Sequence, residues 1–303
     1  MRNSYSCKQF RTEKDNTLID RKFLGWARRA SQNNTYFFTK NQLYLASCPK
    51  YRMYTFYLVA FSAVFTCLCI GFTMIQFDRH YIVVTGFVAL GGAMAALMTL
   101  LGRPIPLDQF DKLLKEWQQR NGKAEMLLEH PCLHKMGCET QQLSIDNDKV
   151  EKILIVQRDI LVDLFMLNKF HLEQQVLIVS ISGYPEALFV KARKTLESAQ
   201  EIPVFLLHDA TATGTDGIKK FIRSGTLPME GHLLVDVGLF QDDAKRIDLL
   251  RPLCLSRKHY ETPVDMTPYS LLAEMLAESL ANKSSFGEYL FAQDWGDAGA
   301  GCE

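Results

Sequence analysis

The chain has 303 residues, with 34 Lys and Arg balanced by 34 Asp and Glu. This length admits one large domain or two modest ones, and the neutral balance excludes a molecule-wide attraction to nucleic acid. Eight cysteines lie scattered, without the paired spacing of a disulfide framework.

Charge is uneven along the chain. Residues 1–52 concentrate Arg2, Lys8, Arg11, Lys14, Arg21, Lys22, Arg28, Arg29, Lys40, Lys50 and Arg52 against Glu13, Asp15 and Asp20, and read as a basic cytosolic segment. Within it, Leu18, Ile19, Phe23, Leu24 and Trp26 among basic residues predict a short amphipathic helix, lying on an anionic leaflet or packed on the protein. The following TYFFTKNQLYLAS reads as two short strands around Lys40-Asn41.

Residues 53–103 hold two uncharged apolar runs, 54–77 and 81–102, separated by Asp78, Arg79 and His80. At about 1.5 Å per residue each is long enough for a hydrocarbon core of roughly 30 Å. They predict a tight transmembrane hairpin with both termini in the cytoplasm, because basic residues flank it on both sides. The lipid bilayer is then the first expected partner. Gly91, Gly92, Ala93, Ala95 and Ala96 give the second run a small-residue face suited to a homo-oligomer through the hairpin.

Residues 104–149 read as an amphipathic connector. Leu107, Phe110, Leu113, Leu114 and Trp117 recur at helical spacing and predict a helix ending near Asn121-Gly122. HPCLHKMGC offers His130, Cys132, His134 and Cys138 as a weak zinc set, with ligands crowded for a tetrahedral site.

From 150 to 303 strands and helices alternate. KILIV, VLIVSI, VFLL and HLLVDV each precede a helical pattern, which predicts a parallel sheet covered on both faces, a Rossmann-like α/β domain. A last helix begins at Thr267-Pro268. In such a sheet the strand carboxyl ends share one edge. That edge should gather Gln157, Arg158 and Asp159; Ser180, Ser182 and Gly183; His208, Asp209 and Thr211; and Asp236. Carboxylates, hydroxyls and an imidazole on one rim suit a hard cation such as Mg²⁺ or a phosphate. Each also has a local reading: Asp159 as a helix cap, Asp236 as a turn former, and His171 as a surface or cap residue at the opposite edge.

The runs ILIVQRDILVDLF and VSISGYPEALFVKARKTLESAQEIPVFLLHDATATGTDGI resemble the Toprim domain of the topoisomerase VI A subunit family. There a strand ends in a catalytic glutamate, a Gly-Tyr-Pro turn opens a helix, and a Pro-Val-Phe strand ends in an Asp-x-Asp metal motif. The Ser-Gly-Tyr-Pro and Leu-Leu-His-Asp-Ala-Thr phrases also resemble two-span bacterial membrane proteins, which implies the bacterial inner membrane. Carried over by position, the resemblance gives Asp209 a metal role and makes Gly183, Tyr184 and Pro185 shape-setting. Gln157 stands where the family has its glutamate, and Thr211 where it has the second aspartate, which argues against topoisomerase-type cleavage.

These readings combine into a two-pass membrane protein with a cytosolic, degenerate Toprim-like domain. Its expected role is to bind a phosphate-bearing ligand, nucleic acid or nucleotide, through Asp209, Asp159, Asp236, His208, Ser182 and Thr211. The alternative is a non-catalytic interaction or oligomerisation platform. A third reading is a metal-dependent hydrolase using Asp159, Asp209 and Asp236, with His208 as acid or base.

Overall fold

The structure, a computed structural model, describes residues 18–48, 105–133, 150–198, 201–240, 242–243 and 262–287. Its centre is a four-stranded sheet in which β3 (Lys152–Val156) is flanked by β4 (Val176–Ser180) and β5 (Val204–Leu207), with β6 (Leu234–Asp236) outside β5. All three pairings are parallel. Ile153 aligns with Leu177 on one side and Val204 on the other. Ile153, Leu154, Ile155 and Val156 are fully buried, as continuous apolar strands must be when helices cover both faces.

The covering helices are α4 (Asp159–Leu167), the single turn α5 (Phe170–Glu173), α6 (Glu186–Ser198) and α7 (Ala212–Arg223). A 3₁₀ turn at Val264–Met266 leads into α8 (Tyr269–Asn282), which buries Leu272, Met275, Leu276 and Leu280. The predicted strands at 152–156 and 204–207 are met residue for residue.

The preceding segments share this core. They comprise α1 (Leu18–Ala30), β1 (Phe38–Thr39), α2 (Lys40–Ser47), α3 (Leu107–Asn121) and β2 (Leu127–Leu128). Phe23 of α1 stacks on Trp117 of α3 at 5.6 Å between ring centroids. Trp26 meets Phe23 edge-on at 4.7 Å. The amphipathic face of α1 therefore packs on the protein, and Trp117 is a core residue. The helix α3 ends as predicted, with Gly122 at φ 80°, a left-handed value that glycine adopts without strain.

The two strands expected around Lys40 are corrected to one two-residue strand and a helix. Thr39 Oγ1 accepts from the Gln42 amide while Gln42 Oε1 accepts from that of Thr39. This capping box starts α2 at Lys40 and overrides the β-prone aromatics before it. The strand β1 pairs in parallel with β2, Phe38 with Leu127 and Thr39 with Leu128.

The transmembrane part of the expected fold class does not stand. Among the described residues no helix is long and apolar enough to cross a membrane. The longest of them, α3, has 15 residues, about 22 Å, and carries Asp108, Asp111, Lys112, Lys115 and Arg120. The runs at 54–77 and 81–102, and the small-residue face in the second, lie outside the described residues. The fold class is corrected to α/β with parallel sheets; the described residues give no support to the expected membrane hairpin or to the bacterial inner-membrane location drawn from it.

Candidate functional site: a strand-end rim closed by ion pairs

The strand order brings the expected rim residues to one edge, but their side chains do not converge on a common point. Arg158, directly after β3, sits between two carboxylates. Its Nη2 lies 3.0 Å from Asp209 Oδ1, its Nε 2.8 Å from Asp209 Oδ2, and Nη2 also bonds Asp265 Oδ1. Asp265 belongs to the 3₁₀ turn before α8. It further accepts from Thr39 Oγ1 at 2.7 Å and Asn41 Nδ2 at 3.0 Å. One guanidinium thus ties the sheet to the start of α2 and the approach to α8.

Burial makes this cluster electrostatically demanding. Asp265 is fully buried and Asp209 is 5% exposed. Burial would raise the Asp265 pKa, but the charge and hydrogen bonds of Arg158, with the Thr39 and Asn41 donors, hold it below the usual carboxylate value. For Asp209 burial wins: it and the neighbouring Asp265 charge raise the pKa despite Arg158 and the Val264 N–H. Burial would lower the Arg158 pKa, yet the two carboxylates raise it.

Asp209 is held in backbone terms too. Its Oδ1 accepts from the Val264 N–H at 2.8 Å, and its own N–H donates to Gln157 Oε1 at 2.9 Å. Gln157 therefore positions the strand end. Thr211 caps α7, accepting from the Gly214 N–H at 2.8 Å. A Cβ on Gly214 would lie 2.6 Å from the Asp209 carbonyl oxygen, so the turn closes this tightly only with glycine.

His208 forms a second pair. Its ring is fully buried; Nε2 lies 3.1 Å from Asp236 Oδ1 and Nδ1 lies 2.9 Å from the Asp209 carbonyl oxygen. With an acceptor on each nitrogen, the imidazolium is the form that satisfies both. Burial opposes that charge, but the Asp236 bond, the Asp209 carbonyl and both carboxylate charges raise the pKa above its ordinary value. Phe240 lies edge-on to the ring at 5.2 Å.

Asp159 forms a third, separate group. Ser180 Oγ and Ser182 Oγ both lie 2.6 Å from its Oδ1. The predicted helix cap is corrected: Asp159 is the first residue of α4, Arg158 occupies the cap position, and no side chain caps the helix. The three acids proposed to share a metal each serve different partners. Among the described residues no group of three His, Cys, Asp or Glu is arranged to hold a metal ion.

The Gly-Tyr-Pro turn has a role that its sequence did not reveal. Gly183 has φ 89° and Tyr184-Pro185 is a cis peptide. Tyr184 Oη donates to Asp163 Oδ1 at 2.7 Å and accepts from the Leu133 N–H at 3.0 Å. Burial, then the Asp163 bond and charge, raise the Tyr184 pKa. Asp163 is fully buried and also accepts from the Cys132 N–H. Of the zinc set, His130 and Cys132 lie in this loop, while His134 and Cys138 lie outside the described residues.

His171 is a further correction. Expected at the surface, it is 2% exposed, and neither ring nitrogen has a hydrogen-bond partner. Burial lowers its pKa to about 4, which keeps the imidazole neutral. The residues that sequence reasoning missed are Asp265, Thr39, Asn41 and Asp163. Fold and site together define a parallel-sheet α/β protein whose strand-end rim is closed by internal ion pairs. Comparison with known proteins gives no matching family model, no matching curated protein and no matching solved structure.

Proposed function

We propose that the chain is a non-catalytic α/β interaction module, in which strand-end acids join chain segments instead of binding a catalytic metal. The observation that carries this reading is the Arg158 guanidinium between Asp209 and Asp265. A divalent cation would need carboxylate oxygens at about 2.0–2.6 Å, and here those oxygens already face a fixed cation. Asp236 is directed to His208 and Asp159 to two serines, which removes the remaining acids from a shared site. The joined segments, α2 and the approach to α8, are the surfaces whose relative placement the module would present to a partner.

The test uses the full chain. Calorimetric titration with Mg²⁺ is expected to give no saturable heat, and phosphodiester and phosphomonoester substrates are expected to remain intact. Mg²⁺-dependent hydrolysis abolished by Asp209→Asn would refute the module. Its positive side is read by limited proteolysis: Arg158→Met should expose residues 31–48 to cleavage that the wild type resists.

A second reading, binding of a phosphate-bearing ligand, is favoured by α7. Its first turn has no acidic residue, and Ala212 and Thr213 are exposed on the rim. Helix N-termini of this kind receive phosphates through their free N–H groups. Titration with nucleotide, DNA and RNA separates the readings, since saturable binding weakened by Thr211→Ala favours the second.

A further inference from the structure

We propose that a cavity of about 260 Å³ beside the β1–β2 pair is a binding site for a small, uncharged, mainly apolar molecule about the size of two fused rings. Its floor is formed by Phe37, Ala124, Leu127, Leu128 and Leu167. Ala124, Leu127 and Leu128 are buried, so the floor belongs to the packed core. Its mouth carries Lys123, Glu125 and His130, all exposed, with the half-buried Cys132 on the wall.

Two of the lining residues, Phe37 and Cys132, are fixed by polar bonds from outside the cavity. Asn168 accepts from the Phe37 N–H at 2.8 Å and donates to its carbonyl at 3.0 Å, standing in for a neighbouring strand. Asp163 holds the Cys132 N–H, and Tyr184 holds that of Leu133. Gln118 donates to Glu129 next to the mouth. A cavity held at both of these residues is largely preformed, and a ligand entering it need not order them. The Gly-Tyr-Pro turn thereby acquires a role, since its tyrosine positions the loop that carries Cys132.

Size and charge select the ligand class. A cavity of roughly 150 Å³ lined by aliphatic and aromatic side chains accepts benzene, so this one has room for a second ring. An anion finds little attraction, because Lys123 already faces Glu129 at 3.7 Å and Glu125 adds another acid. The inference is independent of the rim and stands or falls apart from the proposed module.

The probe is 2-naphthol, neutral at pH 7 and fluorescent, in equilibrium dialysis against the full chain. One equivalent is expected to bind with a Kd on the order of 100 µM, a value inside the ceiling on binding energy per heavy atom for so small a ligand. Ala124→Phe and Cys132→Phe fill the cavity and are expected to weaken uptake at least tenfold, each judged only if its melting temperature matches the wild type. Bound 2-naphthol should also slow iodoacetamide alkylation of Cys132 while leaving Cys48 unchanged, read by peptide mass spectrometry. No saturable wild-type uptake below millimolar ligand overturns the proposal. So does uptake indifferent to both filling variants, or no selective protection of Cys132.

Discussion

Replacing Arg158 with Met is the most direct test of the rim. The substitution keeps an unbranched apolar stem and deletes the cation between Asp209, 5% exposed, and Asp265, fully buried. Removing one partner of a buried ion pair typically costs about 3–5 kcal/mol, because the remaining charge is left in low dielectric. Asp265 keeps its Thr39 and Asn41 donors and Asp209 keeps the Val264 N–H, which places the expected loss near 3 kcal/mol. The assay is equilibrium urea unfolding of wild type, Arg158→Met, Asp265→Asn and the double variant. Residues in direct contact should couple by roughly 1–3 kcal/mol, so Arg158→Met should cost markedly less in the Asp265→Asn background. A single-variant loss under about 1 kcal/mol, or the same loss in both backgrounds, would refute the claim that this pair fastens the rim.

The two buried histidines should give pH dependences of opposite sign. His208 has its folded-state pKa raised, so its contribution is complete below the unfolded value of about 6.5 and is lost as pH rises through the folded value. Asp236→Asn should flatten that alkaline decline in melting temperature. His171, lowered to about 4, contributes in the other direction: stability is full above about 6.5 and falls as pH drops toward about 4, by up to roughly 3 kcal/mol. His171→Leu should abolish this acidic decline and raise stability at pH 7 by about 1 kcal/mol, because it removes two buried nitrogens without partners. Gly238→Ala should cost about 1–3 kcal/mol in urea unfolding, since its Cβ would lie 2.3 Å from the buried His208 ring; a neutral result would show that the 236–240 segment yields freely.

Hydrophobic period carried the α/β architecture into view. The runs ILIV at 153–156 and VFLL at 204–207 are apolar throughout because helices cover both sheet faces, and each ends in polar residues, so strand ends and rim followed together. Local chemistry is also legible at Thr39 and Gln42, which have the spacing of a capping box, although the β-prone Phe37-Phe38 before them points to a longer strand. Asp265 had no comparable signal. Its partners Thr39, Asn41 and Arg158 are far away in sequence, and an acid between Val264 and Met266 has no period that betrays a buried ion pair. Asp163 was hidden for a related reason, since it occupies an apolar face of α4 and only the fold brings the Tyr184 hydroxyl to it. His171 shows the converse, a polar residue that sequence reasoning assigns to solvent and that tertiary packing buries without partners.

Gln157 and Thr211, the two positions where a resemblance to the Toprim pattern would expect acids, have other physical roles here, and those roles yield a last expectation. Gln157 accepts the Asp209 N–H, and Thr211 accepts that of Gly214; both acceptors turn inward to the backbone. Placing acids at both positions alone, as Gln157→Glu with Thr211→Asp, is therefore expected to leave Mg²⁺ affinity undetectable by calorimetry, because Arg158 still occupies the oxygens of Asp209. Adding Arg158→Ala removes the competing cation and leaves several carboxylates around one corner, an arrangement unstable without a counter-charge. In that triple variant Mg²⁺ should raise the melting temperature saturably, since a ligand that binds only the folded state stabilises it by mass action. Saturable Mg²⁺ binding by the double variant with Arg158 intact would show that the guanidinium does not block the site. The rim would then not be an internally neutralised clasp.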